Sequence, residues 1–196
     1  YPELVIADES NIKIYGNLIS SFDNSEVEIV PWPQQGWRSI VAGTGMGAGF
    51  AQGDFEVKRE GDMLYTENHA LNRFHLSGWY SDPAYASAIN RSEDSEYIYA
   101  HEAQYYPDSG SVFFPKQTEP FLIMLAKPGD DVRPEYFKCY YFDGSHGVNI
   151  HPGVWYQTLF PLGDSISFST KQGKIEAYVS VDLVNEFGCY LALPLS

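Results

Sequence analysis

The sequence predicts an all-β fold, a barrel or jelly roll with a few short helical turns. Helical periodicity is almost absent, whereas runs of β-branched, aromatic and aliphatic residues recur along the chain. Clusters rich in Gly, Pro, Asp and Ser separate these runs. Many short strands divided by such turns are typical of closed or two-sheet antiparallel architectures.

The clearest local element is a hairpin over residues 55–68, FEVKREGDMLYTEN, with its turn at Glu60, Gly61 and Asp62. Other runs of strand-forming residues follow it, and turn clusters such as KPGDDVRP and DGSHG lie between them. These further predicted strands are FLIMLA (121–126), FKCYYFD (137–143), SISFST (165–170) and IEAYVSVDL (175–183).

Helical turns are expected near residues 3–12, 83–90 and 184–188. No linker, internal repeat or low-complexity segment divides the chain, and 196 residues suffice to bury one core. We therefore expect residues 1–196 to form a single domain.

Composition narrows the classes of partner. Hydrophobic residues make up 44% of the chain and charged residues 19%, which excludes wholesale disorder and coiled coil. The formal net charge of −14 disfavours binding to nucleic acid and to anionic membranes. No run is long and apolar enough to span a bilayer, and the first residues lack a secretory pattern. We expect a cytoplasmic protein whose Cys139 and Cys189 are free thiols.

The run AGTGMGAGF (42–50) has glycine at every second position from 43 to 49. A phosphate-binding loop would lead into a helix, whereas a strand-like sequence follows here. Glycines at a period of two would share one face of an extended strand, where a bulky group approaches closely. The alternative is a strand floor beneath a ligand.

The run HEAQYYPDSGSVFFP (101–115) carries the first candidate site. In a strand, Glu102, Gln104 and Tyr106 share one face. That face is turned either to solvent or to the interior of the barrel, where polar groups in an apolar wall hold a ligand.

The run NIHPGVWYQTLFPL (149–162) carries the second candidate site. His151, Trp155 and Gln157 share one face if a strand continues through Pro152 and Gly153. These side chains fit either a packed strand or the rim of a pocket.

The sequence neither predicts nor excludes a metal site. The chain has five histidines but no HxH pair, so a divalent metal would need ligands from distant strands.

Two long runs, FFPKQTEPFLIMLAKPGDD and FKCYYFDGSHGVNIHPGVWYQTLFPL, resemble the ureidoglycolate lyases of the cupin superfamily in order and spacing. The resemblance covers residues 97–170, and GVNIHPGVW (147–155) is its most specific part. It implies a cupin-like double-stranded β-helix or jelly-roll barrel that forms a homodimer. It also implies cleavage of ureidoglycolate to glyoxylate and urea, late in the allantoin degradation of purine metabolism, by proton transfer without a redox cofactor.

Polar positions separate this chain from the family pattern. His101, Glu102, Asn149, His151, Val154 and Trp155 match it. Gln104 and Tyr106 stand where the family usually has Glu and His, Ser111 where it has glutamine, and Tyr156 and Gln157 where it has two histidines.

The resemblance and the strand pattern together give a set of candidate site residues, which we expect to converge in one cavity. His151 is the expected general base, with Glu102 as the alternative base and Tyr106 or Tyr156 as the acid. A cupin that binds a small metabolite or sugar acid without turning it over is the alternative function. The expected substrate-binding residues are Gln104, Ser111, Asn149, Trp155, Gln157 and Lys116.

Overall fold

The structure, a computed structural model, describes residues 1–31, 36–45, 47–174 and 177–196. The regular structure of these residues is almost entirely β-strand, which confirms the predicted all-β class. Their helices are short: α1 (Glu9–Ile12), α2 (Leu183–Phe187) and a 3-10 turn at Pro134–Tyr136. The strands are β1 (Glu3–Ile6), β2 (Gly16–Ile19), β3 (Phe50–Glu60), β4 (Met63–Asn68), β5 (Arg73–Trp79), β6 (Tyr97–Ala100), β7 (Glu102–Tyr105), β8 (Ser111–Pro115), β9 (Phe121–Leu125), β10 (Lys138–Phe142), β11 (Gly147–Ile150), β12 (Phe160–Pro161), β13 (Ser165–Gly173), β14 (Val179–Asp182) and β15 (Leu191–Pro194).

One wall of the molecule is a large antiparallel sheet with the strand order β15-β6-β5-β4-β3-β13-β8-β11-β2. Its longest pairing joins β3 to β13, from Phe50 opposite Gly173 to Lys58 opposite Ser165. Side chains alternate across this sheet, so one face is buried and the other is turned outward.

The second wall combines two smaller sheets, ordered β1-β10-β9-β12 and β14-β7. The chain after β11 joins them, because Trp155 bridges Ala126 just after β9 and Tyr156 bridges Gln104 of β7. The backbone of Tyr156 and Gln104 exchanges both hydrogen bonds, at 2.8 and 3.0 Å. This segment therefore acts as an additional strand in the centre of the second wall.

The hydrophobic core lies between the two walls. The ring of Phe121 on β9 meets that of Phe168 on β13 edge-on, with centroids 5.0 Å apart. A single buried cluster runs through the chain from Ile12 to Leu193. Two sheets facing one another across such a core fit the cupin-like jelly roll that the resemblance implies.

Most predicted strands are present. β3 and β4 form the hairpin, and Gly61 in its turn has the left-handed φ of 56°. The strands predicted at 121–126, 137–143 and 165–170 are β9, β10 and β13. Within the stretch predicted at 175–183, residues 175 and 176 lie outside the described residues and β14 begins at Val179.

The predicted helical turns have mixed outcomes. Helix α2 fills the turn predicted near 184–188, and Asp182 caps it by accepting hydrogen bonds from the backbone of Val184 and Asn185. The stretch 3–12 holds β1 before α1. Near 83–90 a single helical turn is present, since the backbone N–H groups of Tyr85 and Ala86 donate to the Asp82 carbonyl at 2.9 and 3.0 Å, and no helix follows it.

The glycine run 42–50 is a loop, so its prediction as a strand was wrong up to the start of β3. Gly43, Gly45 and Gly49 have φ near 82°, 87° and 80°, a conformation that strands do not contain. Residue 46 lies outside the described residues. The glycines serve loop conformation rather than close approach, because no atom comes within 4 Å of a Cβ added at Gly43 or Gly49.

Both cysteines are free, as predicted. Burial raises the pKa of the Cys139 thiol to about 12. Among the described residues, the helices are too short and too polar to cross a membrane.

Candidate active site

A polar cavity of about 580 Å³ lies between the two walls. The large sheet contributes side chains from β3, β4, β5, β8 and β13, and the second wall contributes side chains from β7, β14 and residues 156–157. Val41 also lines the cavity, together with Gly43 and Thr44 of the glycine run that follows it. Its size suits a small metabolite.

Three predicted site residues enter the cavity together. Glu102 and Gln104 on β7 and Tyr106 just after it all line the cavity. The residues between them, Ala103 and Tyr105, are turned to the hydrophobic core. The strand alternation therefore points this row to the interior of the barrel rather than to solvent.

Tyr156 and Gln157 also line the cavity, although they are neighbours in sequence. Gly153 has a φ of 79°, so the regular strand alternation does not continue from β11 into this segment. The Tyr156 hydroxyl lies 2.8 Å from the hydroxyl of Ser111, which places Ser111 behind Tyr156. Burial raises the pKa of Tyr156 well above its ordinary value, and Tyr106 adds to this shift.

The amide of Gln157 is in an unusual position. The residue is only 2% exposed, and neither Nε2 nor Oε1 has a hydrogen-bond partner among the described residues. Its backbone carbonyl accepts a hydrogen bond of 2.7 Å from Gln104 Nε2. Gln157 lines the cavity, so this unpaired amide adjoins the space that a bound molecule would occupy.

Arg73 and His75 on β5 were not predicted as site residues, yet both line the cavity. Arg73 Nη1 donates to the Tyr106 hydroxyl at 3.3 Å, and its guanidinium lies over the Tyr178 ring at 4.4 Å. Burial, together with the charges of His101 and Arg73, lowers the pKa of His75 to about 4. His75 is therefore a neutral imidazole at neutral pH.

A signal for these two residues was present in the sequence. In RFHLSGW (73–79), Arg73, His75 and Ser77 alternate with Phe74 and Leu76. A strand with polar residues at every second position next to a recognised hairpin is typical of a third strand with a polar inner face.

Glu102 is a partly buried carboxyl whose pKa is raised. Burial raises the pKa of its carboxyl, and the nearby charge of Asp182 raises it further. His101 Nε2 lies 3.7 Å from Glu102 Oε2, and burial lowers the pKa of His101. A carboxyl in this setting holds a proton more tightly than glutamate in water, which suits general acid and base chemistry.

The structure does not bring His151 and Asn149 to the cavity. Asn149 pairs with Val112, and because the adjacent Phe113 points into the cavity, Asn149 faces the outer side of the large sheet. There its Nδ2 donates to the Glu26 carbonyl at 3.1 Å. His151 Nδ1 lies 2.9 Å from Glu28 Oε2.

Trp155 and Lys116 also lie apart from the cavity. Trp155 is fully buried, its Nε1 donates to the Gly129 carbonyl at 2.8 Å, and its ring packs on Tyr105. Lys116 Nζ is 2.6 Å from Asp54 Oδ1 at the surface. The second candidate run thus divides, with Tyr156 and Gln157 in the cavity and its other predicted site residues outside it.

A group that could hold a divalent metal lies elsewhere. In the described part of the chain, the ligand atoms of Glu56, Glu67 and His69 come within 4.8 Å of one another. Glu56 and Glu67 are opposite each other on β3 and β4, with their neighbours Phe55 and Asn68 pointing into the cavity. Carboxylate and imidazole ligands suit a divalent metal, but this group is on the outer face of the sheet.

Fold and cavity together define a class: a two-walled β-barrel protein with a polar small-molecule site around a partly buried carboxyl. Comparison with known proteins defines it further, because residues 101–184 match the family model described as ureidoglycolate lyase. The resemblance to ureidoglycolate lyases that the sequence motifs predicted is therefore confirmed for this part of the chain.

Curated proteins that are similar to this chain carry the same name. A ureidoglycolate lyase of Azotobacter vinelandii is 38% identical over 63 residues, which cover 32% of this chain and 38% of that protein. Ureidoglycolate lyases of Salmonella enteritidis and Salmonella newport are each 28% identical over 125 residues, covering 61% of this chain and 78% of the relative. The family and these relatives are lyases by name, which supports the predicted enzyme class.

Proposed function

We propose that this protein is a lyase that cleaves the C–N bond of ureidoglycolate or of a related small hydroxy or amino acid. The observation that carries the proposal is the cavity, in which Glu102, with its raised pKa, meets Arg73 and several uncharged polar groups. The match of residues 101–184 to the ureidoglycolate lyase family model supports the same reaction.

The proposed reaction needs proton transfer and no change of oxidation state overall. A base takes the proton of the carbinol hydroxyl, the C–N bond breaks as the C=O bond forms, and the bonding electron pair goes to nitrogen. An acid protonates that nitrogen, so the products are glyoxylate and urea. In this proposal Glu102 takes the first proton, and its carboxyl or the Tyr106 hydroxyl returns one to the leaving nitrogen.

Arg73 gives the cavity a positive charge within a protein of net charge −14. We assign it to the carboxylate of the substrate, because a guanidinium holds a carboxylate through charge-assisted hydrogen bonds. His75 is neutral at neutral pH, so its role here is to hydrogen-bond to the substrate without competing for the carboxylate.

The role of general base passes from His151 to Glu102 in this proposal. His151 is paired with Glu28 away from the cavity, whereas Glu102 lines it. Tyr156 keeps a supporting role, since its hydroxyl is held by Ser111 and its raised pKa opposes ionisation. Gln104 and Gln157 remain proposed substrate contacts.

The direct test is to incubate the purified protein with ureidoglycolate and to measure glyoxylate and urea, with the Glu102→Gln variant as the control. We expect equal amounts of both products from the wild-type protein. Stabilisation against heat by ureidoglycolate without any product would instead favour the alternative, a cupin that binds the metabolite without turnover. The homodimer and the cytoplasmic location implied by the resemblance stay predictions, to be checked by light scattering and cell fractionation.

A further inference from the structure

Gln157 differs from the other buried glutamine of the cavity. Gln172 also lines it, but its Oε1 accepts from Asn68 Nδ2 at 3.1 Å and its Nε2 donates to Thr170 Oγ1 at 3.1 Å. For Gln157, both amide atoms are buried without a partner in the described part of the chain. Unpaired buried donors and acceptors are rare in folded proteins because they lose water and gain nothing in return.

The chain around Gln157 is held in place. The hydroxyl of Tyr156 on one side lies 2.8 Å from that of Ser111, and the hydroxyl of Thr158 on the other side lies 2.9 Å from that of Thr66. The Gln157 carbonyl accepts from Gln104 Nε2. These contacts fix the backbone, so the unpaired amide stays at the cavity wall.

The donor and acceptor atoms of the carboxamide determine which ligand group can pair with it. Nε2 needs an acceptor and Oε1 needs a donor, and the two atoms lie side by side in one plane. A primary amide or a ureido group offers an acceptor and a donor with the same spacing. A carboxylate offers acceptors only, and it would leave Oε1 unpaired.

We propose that Gln157 is a specificity-determining residue that pairs with the amide or ureido edge of the ligand, while Arg73 takes its carboxylate. The cavity then selects N-carbamoyl or amido acids over acids of equal size that lack this edge. This inference rests on the proposed function in one respect, namely that the substrate binds in this cavity.

Two ligands of the same shape test the inference by isothermal titration calorimetry. N-carbamoylglycine carries the ureido edge and lacks the hydroxyl that the lyase reaction requires. Levulinate has the same skeleton and keeps the ketone acceptor, but methylene and methyl replace the NH and NH2 groups. We expect the wild-type protein to bind N-carbamoylglycine about tenfold more tightly, the effect of the one hydrogen bond to Oε1 that levulinate cannot make.

The Gln157→Met variant keeps the size of the side chain and removes its donor and acceptor. We expect it to bind both ligands with similar affinity, because N-carbamoylglycine loses more affinity than levulinate does, and retained binding of levulinate also reports that the variant is folded. Equal binding of both ligands by the wild-type protein, no binding of either, or a preference retained in the variant would each overturn the inference. The comparison of the two ligands with the wild-type protein tests the inference even if the variant does not fold.

The outcome is separable from that of the lyase proposal. Turnover of ureidoglycolate by the wild-type protein without a preference for N-carbamoylglycine would remove only the role of Gln157. A clear preference without any turnover of ureidoglycolate would remove only the lyase activity.

Discussion

We predict different effects on kcat for substitutions at Glu102 and at His151. Glu102 lines the cavity, and His151 is bound to Glu28 on the outer side of the large sheet. Because loss of a general base costs about 10² or more in rate, we expect Glu102→Gln to lower kcat by at least about that factor. His151→Ala should leave kcat near the wild-type value. Steady-state assays of both variants against ureidoglycolate check this, and the reverse ranking would return the base role to His151.

The environment of Glu102 also predicts a pH dependence. A base must be deprotonated to act, so kcat/KM should rise with pH through the pKa of Glu102 in the free enzyme. Burial and Asp182 both raise this pKa, which moves the rise above the ordinary glutamate value of 4.5. Replacing Asp182 by asparagine retains an N-cap side chain for α2 and should shift the rise to lower pH. A profile that is identical in both proteins would contradict this assignment.

Asp108 predicts an effect on stability. It is 3% exposed, neither carboxylate oxygen has a partner among the described residues, and burial raises its pKa. The folded state therefore holds this proton more tightly than the unfolded chain does. Its contribution to stability is complete below the pKa of the unfolded state and is lost as pH rises through the folded pKa.

Asp108→Asn should remove that loss. We expect the variant to gain on the order of 1 kcal/mol in free energy of unfolding at neutral pH relative to the wild-type protein, and little or nothing at low pH. Urea denaturation of both proteins across the pH range measures this difference. A difference that does not vary with pH would show that Asp108 does not titrate as described.

At the scale of elements, Arg38 connects the segment 36–45 to α2. Its guanidinium makes two hydrogen bonds of 2.7 Å to Glu186, and its Nε donates to the Asp130 carbonyl at 2.8 Å. Val41 in the same segment lines the cavity, and its backbone donates to the Tyr178 carbonyl. Anchoring at Arg38 thus helps to hold part of the cavity wall.

Arg38→Met should loosen this wall. We expect a loss of about 1–2 kcal/mol in stability, since the pair is partly exposed at Glu186, together with a higher KM and a smaller change in kcat. Denaturant melts and steady-state kinetics measure the two effects. Glu186→Gln, which keeps a hydrogen-bond acceptor, serves as the milder control. An unchanged KM in Arg38→Met would separate the segment from ligand binding.

The strands that could be predicted are those with a continuous hydrophobic signal. β9 and β10 are apolar throughout or nearly so, and the β3–β4 hairpin has a clear turn. β5 escaped prediction because its inner face carries Arg73 and His75 instead of apolar residues. The prediction for the glycine run was wrong because glycine at every second position fits a loop as well as a strand. Glycine has no side chain, so the pattern does not indicate a buried face.

The residues of the candidate site also differ in how far they could be predicted from the sequence. The row Glu102, Gln104 and Tyr106 was predictable because alternation within one strand is a local property. The position of His151 was not, since Pro152 and Gly153 end the strand and the partner, Glu28, is 123 residues away in sequence. Arg73 belongs to the site because β5 and β7 line the same cavity. No local sequence pattern predicts which strands share a cavity.

For the whole molecule, the strand pairings are mainly between distant parts of the chain. β1 pairs with β10, β2 with β11 and β3 with β13. Loop closure must precede these contacts, so we expect refolding on the millisecond-to-second scale that is typical of such topologies. Stopped-flow fluorescence of the tryptophans measures this rate, and complete refolding within microseconds would contradict the prediction.

The cavity draws on both halves of the chain, while the family match spans 101–184 alone. Glu102 belongs to the matched part, and Arg73 and His75 come from outside it. Proteins that match over residues 101–184 can therefore be compared with this chain at Glu102 from that stretch alone, whereas Arg73 and His75 need the rest of the chain. The informative positions are those of Arg73 and of His75, which is paired with Thr66. Sorting such proteins by the residues found there would separate proteins suited to charged ligands from proteins suited to neutral ones.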